Sequence, residues 1–124
     1  MKKVLVIEDN LDNLRLITYS LERAGYEVLS AVSGEAGVPL AIREMPFFII
    51  MDINLPGIDG LEATRQIRAS GANGTIPIIA ITSFAMAGDR DKVLAAGCTT
   101  YFEKPIDPLT IVAKIHAVIG VKDE

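Results

Sequence analysis

Two stretches, Phe47–Met51 and Ile76–Ile81, are apolar at nearly every position, and that continuity narrows the fold more than any other feature. A strand with one face in water alternates apolar and polar residues. A strand apolar throughout has to be covered on both faces, as in a parallel sheet lying between helices. Three more short runs carry strand-forming residues: Lys3–Ile7, Tyr26–Ala31 and Thr99–Phe102. Between the runs the spacing changes. Leu11, Leu14, Ile17 and Leu21 step by three or four and share one helical face, with Gly25 closing the helix. Ile111, Val112, Ile115, Val118 and Ile119 form the stripe of a last helix, with Asp107 as its cap, Pro108 at its first position and Gly120 beyond its end. A second helix is expected over Gly34–Glu44, but Pro39 removes one of its backbone hydrogen bonds, so a kink or a late start is predicted there. Five strands alternating with five helices predict an α/β domain built on a parallel sheet.

A chain of 124 residues suits one compact domain, 1–124, with a real core. Its longest apolar runs fall well short of the roughly 18 residues that span a bilayer. The opening run Val4–Ile7 is closed at once by Glu8 and Asp9, which suits a first strand and not a secretory signal. The net charge of −4, from 12 basic and 16 acidic side chains, lacks the clustered positive charge of a nucleic-acid surface. Cys98 is the single cysteine, so neither an internal disulfide nor a CxxC metal site is available, and packing is its expected role. A soluble, cytoplasmic protein is expected, with neither nucleic acid nor membrane as partner.

In an open parallel sheet, ligands collect at the carboxyl ends of the strands. The residues there form an informative set. Glu8 and Asp9 follow the first strand, Asp52 ends the third with Asn54 beyond it, Thr82 and Ser83 end the fourth, and Lys104-Pro105 follows the fifth. Three carboxylates brought to one edge repel one another and call for positive charge. A hard cation with oxygen ligands meets that need; Mg²⁺ takes one or two carboxylates with phosphate oxygens and water, and Mn²⁺ suits the same donors. Lys104 offers a second positive charge to an anion on Asp52, and Thr82 offers a hydroxyl. Carboxylates serve as covalent phosphoryl acceptors, and metal and ammonium charge stabilise the negative charge spread over the transferring group. Taken singly, each residue has an ordinary reading as a turn, a cap or a solvated side chain. Their joint occurrence at four strand ends favours phosphoryl transfer.

The segments VLVIEDN, IIMDINLPGIDG, IIAITSFA and YFEKPI, in that order and spacing, resemble the receiver domains of two-component response regulators over essentially the whole chain. The resemblance implies a flavodoxin-like doubly wound (βα)5 fold with strand order 2-1-3-4-5. It implies that Asp52 is the phospho-acceptor, that Asp9 ligates the metal directly with Glu8 partly through water, and that the backbone carbonyl of Asn54 is a further ligand. Thr82 and Lys104 would bind the phosphoryl oxygens. Pro105 implies a cis bond after Lys104, and Tyr101 stands where the family keeps an aromatic that turns inward with Thr82. FAMAGDRDKVLAAGC is similar to receivers of hybrid histidine kinases and of stand-alone cell-cycle regulators. Three departures stand out: Phe47 follows Pro46 where an acid is common, Ser83 replaces a frequent alanine, and Asn54 and Phe84 occupy positions that tune water access to the acyl phosphate.

The chain ends soon after the fifth helix, so a single receiver without an output domain is expected. Its partners would be a sensor histidine kinase or histidine phosphotransfer protein and a downstream protein target, with the chain itself a monomer or weak homodimer. It would be an enzyme only toward its own aspartyl phosphate. Two other classes fit less well. An aspartyl-phosphate phosphatase of the haloacid-dehalogenase type needs an acid two residues after the nucleophile, where Asn54 stands. A flavin or nucleotide binder needs a Gly-rich loop after the first strand, where Glu8 and Asp9 would repel a phosphate. His116 is expected on the surface of the last helix, away from the site.

Overall fold

The computed structural model describes residues 1–71, 74–83 and 89–121. Five strands, β1 (Lys3–Ile7), β2 (Glu27–Ala31), β3 (Ile49–Asp52), β4 (Ile78–Thr82) and β5 (Thr100–Glu103), alternate with α1 (Leu11–Arg23), α2 (Gly34–Glu44), α3 (Gly60–Ala69), α4 (Asp89–Ala95) and α5 (Ile111–Ile119). All strand pairs are parallel, in the order β2-β1-β3-β4-β5. The flavodoxin-like doubly wound architecture is therefore as expected. β3 and β4 pair in register from Ile49 with Ile78 to Asp52 with Ile81, and every residue of both strands is buried.

Alternation along the strands supplies two cores, one on each face of the sheet. Leu5, Ile7, Ile49, Met51, Ile78 and Ala80 point to one side, where α2, α3 and α4 cover them with Val38, Ala41, Ala63, Ile67 and Val93. Val4, Val6, Ile50, Ile79 and Ile81 point to the other, covered by Ile17 and Leu21 of α1 and Ile111 and Ile115 of α5. Cys98 is buried in the first core, its Sγ 3.6 Å from Thr64 Oγ1, as its packing role requires.

Several boundaries differ from expectation for identifiable reasons. β3 and β4 begin two residues late. Pro77 has no N–H to enter a ladder, although its carbonyl still accepts from Ile49 N–H at 2.9 Å. α2 starts on time at Gly34, so the late start predicted from Pro39 does not occur; Ser33 caps it by accepting from Ala36 N–H at 3.1 Å. Pro39 and Glu35 both lie on the exposed side, where water can take the carbonyl that a proline N–H leaves unbonded. α5 begins at Ile111 and not at Pro108. Asp107 instead closes a preceding turn, its carboxylate accepting from Leu109 N–H at 2.9 Å and its carbonyl from Ile111 N–H at 3.0 Å. Gly120, at φ 84°, ends α5 in the left-handed region as expected.

Three side chains expected elsewhere are also corrected. Leu11 and Val118 are exposed. His116, expected on the surface, is 8% exposed, and its Nε2 lies 2.7 Å from the Tyr26 hydroxyl. That bond joins α5 to the entry of β2 across the second core. Phe47 stacks on Tyr26 with ring centroids 6.3 Å apart, and the Lys2 ammonium sits 3.8 Å from its own ring centre. An apolar residue after Pro46 thus serves this aromatic cluster.

The sheet edge and α3 meet at Gly60. A Cβ there would stand 2.3 Å from the Asp52 carbonyl oxygen and 2.7 Å from Ile53 Cα, both backbone atoms that have no rotamer to escape into. Overpacking of this kind costs about 1–3 kcal/mol. Gly60→Ala is expected to lower stability by about 2–3 kcal/mol, read as a lower urea midpoint at unchanged m-value.

Candidate functional site

β1 and β3 are adjacent in the sheet, so their carboxyl ends bring Glu8 and Asp9 beside Asp52. Carboxylate oxygens of the three lie within 4.8 Å of one another. Glu8 is 1% and Asp52 2% exposed, whereas Asp9 is open to solvent. Lys104 closes the cluster from the end of β5. Its Nζ stands 3.2 Å from Glu8 Oε1 and 3.3 Å from Asp52 Oδ2. The Lys104–Pro105 peptide is cis, as expected.

Backbone donors fix the remaining oxygens. Asn54 N–H donates to Asp52 Oδ1 at 3.0 Å, and Asn10 N–H donates to Glu8 Oε2 at 3.2 Å. Glu8 Oε1 has no hydrogen-bond partner among the described residues, since Lys104 approaches it as an ion pair without hydrogen-bond geometry. The two buried carboxyl groups respond to each other in opposite directions. Burial first, then hydrogen bonding and charge at Asp52, push Glu8 up to about 7. Burial acts to raise Asp52 as well, but hydrogen bonds from Glu8 and Asn54 N–H and the Lys104 charge outweigh it and hold Asp52 below its usual value. Asp52 is thus the anion of the pair.

The donor set fits a small hard cation. It consists of oxygen alone, three carboxylates with the Asn54 backbone beside them, and one buried oxygen lacks a hydrogen-bond donor. Mg²⁺ accepts such ligands, and Mn²⁺ does so equally.

Thr82 is buried at the end of β4, next to Asp52 in the neighbouring strand. Lys104 N–H donates to the Thr82 carbonyl at 2.8 Å, tying β4 to the segment that carries the ammonium. Asn54 adds a link that its residue type alone does not reveal: its Oδ1 accepts from Ser83 N–H at 3.4 Å, joining the loops after β3 and β4. Tyr101 is half-buried on β5 and packs against the first core. It lines a surface depression with Arg90, Leu94, Glu103 and Lys114. Phe84 lies outside the described residues, as does part of the segment that begins with it.

Sequence reading missed Arg68 altogether. Its Nε donates to the Gly97 carbonyl at 2.9 Å and its Nη1 to the Ile76 carbonyl at 2.6 Å, clamping α3 to the entries of β4 and β5. A single arginine on a helix carries no local signal for such a role. No helix among the described residues is long and apolar enough to cross a membrane.

Residues 4–116 match the model of the response regulator receiver domain family. The polar-differentiation response regulator DivK of Brucella ovis is 37% identical over 119 residues, covering 96% of this chain and 97% of its own length. The receiver domain of a Pseudomonas aeruginosa sensor histidine kinase, solved with magnesium coordinated in its active-site cleft, is 37% identical with a TM-score of 0.87, covering 96% of this chain and 98% of that one. Vibrio cholerae chemotaxis protein CheY4 superposes with a TM-score of 0.90 at 28% identity, over 95% of this chain and 98% of its own. Because the likeness runs from end to end in both sequence and backbone, the chain belongs to the response-regulator receiver family, whose members are phospho-acceptors in two-component signalling.

Proposed function

We propose that this protein accepts a phosphoryl group on Asp52 from a phosphohistidine, borne by a sensor histidine kinase or a phosphotransfer protein, or from a small acyl phosphate. The observation that carries this reading is the state of Asp52: buried, ionised and set 3.3 Å from the Lys104 ammonium, with two more carboxylates beside it. A buried carboxylate kept anionic is a nucleophile in waiting. One of its oxygens attacks phosphorus in line; the bond from phosphorus to the donor's nitrogen or oxygen breaks, and its electron pair leaves with the donor. Glu8, Asp9, Asp52 and the Asn54 carbonyl would hold Mg²⁺ or Mn²⁺, which supplies charge to the phosphoryl oxygens and to the crowded carboxylates when bound. Lys104 and the Thr82 hydroxyl bind phosphoryl oxygens from the β4–β5 side. Attack of water on phosphorus later restores the carboxylate, and Asn54 and Phe84 set its access.

The phosphorylated state would act through the face of β4, α4 and β5. Thr82 moves toward the new anion, Tyr101 turns into the space that opens, and the depression around it changes shape for a downstream protein. A partner that prefers the altered face shifts the equilibrium by its differential affinity and no more. A monomer or weak homodimer working in the cytoplasm belongs to the same reading.

Incubation with Mg²⁺ and acetyl phosphate is expected to add one phosphoryl mass, read by intact mass spectrometry because the chain has no Trp. Asp52→Asn, or removal of metal, abolishes the adduct; an adduct that survives either change overturns the assignment. Lys104→Ala slows its formation about a hundredfold, the size expected for losing one preorganised charge.

The raised Glu8 carboxyl gives a second expectation. A carboxyl whose folded pKa is raised stabilises the fold fully below its unfolded value and loses that contribution as pH rises through about 7. Metal-free protein should therefore melt at a lower temperature at pH 8 than at pH 6, with Glu8→Gln flattening the difference. Because the cation competes with that proton, the rise in Tm on adding Mg²⁺ should be larger at pH 8. A Mg²⁺ effect independent of pH in the wild type would show that Glu8 takes no part.

A further inference from the structure

The loop from β3 to α3 carries Asn54, whose carbonyl is one of the proposed metal ligands, and its two ends are anchored firmly. Ile53 N–H donates to the Ile81 carbonyl at 3.0 Å, and Gly60 N–H returns to the Ile53 carbonyl at 3.1 Å. Asp59 caps α3 by accepting from Glu62 N–H at 2.8 Å. The middle of the loop is different. Pro56 has no N–H, Gly57 sits at φ 73°, and both are exposed. Of the hydrogen bonds on residues 55–58, one reaches another element among the described residues: Ile58 N–H donates to Glu35 Oε2 at 3.1 Å, across 23 positions of sequence.

Glu35 belongs to the first turn of α2, and the fit around it is close. A Cβ on Gly57 would stand 2.4 Å from the Glu35 carboxylate, and one on Gly34 would stand 2.6 Å from the Ile58 side chain. The loop thus lies against the α2 N-terminus through both backbone and side chain. The Ile58 N–H, with Glu35's own N–H, holds the carboxyl below its usual value, so it accepts as an anion. The corner between β2 and α2 also fixes the other half of the site, because Glu8 N–H donates to the Ala31 carbonyl at 3.0 Å. One corner therefore references both Glu8 and the Asn54 loop.

We propose that Glu35 is a positioning residue for the metal site: its carboxylate tethers the β3–α3 loop to α2 and so presets the Asn54 carbonyl. The role rests on the phosphoryl-transfer reading above. A ligand held in place before binding spares the ordering that a loose loop would require, and a displacement of about 1 Å is enough to cost binding or rate. The carboxylate acts chiefly by placing an acceptor oxygen on the Ile58 N–H, so glutamine, whose amide oxygen also accepts though less strongly, should largely replace it.

The test uses the full chain with Glu35→Ala and Glu35→Gln. Amide exchange at Ile58 is followed by NMR in metal-free protein, and Mn²⁺ affinity is read by electron paramagnetic resonance. Glu35→Ala should lose protection at Ile58 and bind Mn²⁺ about fivefold more weakly, the scale of one lost orienting hydrogen bond. Glu35→Gln should keep both near wild type. Equal weakening in the two variants would assign the effect to charge and overturn the tether, as would unchanged affinity in Glu35→Ala. Wild-type protein that binds no Mn²⁺ would overturn the metal-site reading and this role with it, whatever the Ile58 amide shows.

Discussion

Repulsion between buried carboxylates is the constraint around which this molecule is arranged. The parallel sheet sets β1 beside β3, and their ends place Glu8 and Asp52 side by side with almost no solvent between them and the cores. Two anions in such a place require compensation. The chain supplies it three times over: Lys104 from β5, backbone N–H groups of Asn10 and Asn54, and a proton retained on Glu8 up to about pH 7. Of these, the proton on Glu8 is the stand-in that a divalent cation would displace, while Lys104 stays to meet an incoming anion. The site is therefore poised by its own internal conflict, which a bound cation would relieve.

The sheet makes that conflict tolerable. β3 and β4 are buried along their whole length, and the helices on either side bury apolar side chains of both. Opening the site would expose apolar surface at roughly 25 cal/mol per Å² in both cores at once, so the carboxylates cannot simply splay apart. Edge strands have more freedom: β5, which carries Tyr101 and leads to Lys104, has no fully buried residue. Buried central strands holding Asp52 and a less buried edge leading to Lys104 would suit a switch, because a small displacement can then stay local to one side of the sheet.

Much of this was legible from sequence because the relevant signals are local. Continuous apolar runs at Phe47–Met51 and Ile76–Ile81 marked doubly covered strands, and strand ends located Glu8, Asp9, Asp52, Thr82 and Lys104. Strand order is not a local property, and it came from family resemblance. Misreadings arose where a residue's partner lies far along the chain. His116 looked like a surface residue because Tyr26, which bonds it, is 90 positions away. Pro39 looked like a helix breaker because nothing in its neighbours shows that it faces water. Arg68 and Glu35 gave no signal, since each bonds backbone groups, and backbone groups have no residue type to recognise.

That last class of interaction has a general consequence for how the site is built. On the proposed reading, Asp52, Glu8 and Lys104 matter for their chemistry: two carboxyl groups and an ammonium within ion-pair reach. Their geometry, in contrast, is set by bonds to main-chain atoms: Asn54 and Asn10 N–H on the carboxylates, Asn54 Oδ1 on Ser83 N–H, Glu35 on Ile58 N–H and Arg68 on the Gly97 carbonyl. A main-chain carbonyl persists under any substitution and a main-chain donor under any except proline, so the side chain alone decides whether the bond exists. Variation at positions such as 35, 54 and 68 can then adjust how firmly the loops are held without touching a group that meets phosphate. On the proposed reading, a receiver could keep one chemistry while side chains that bond only main-chain atoms tune how firmly its loops hold metal and phosphate.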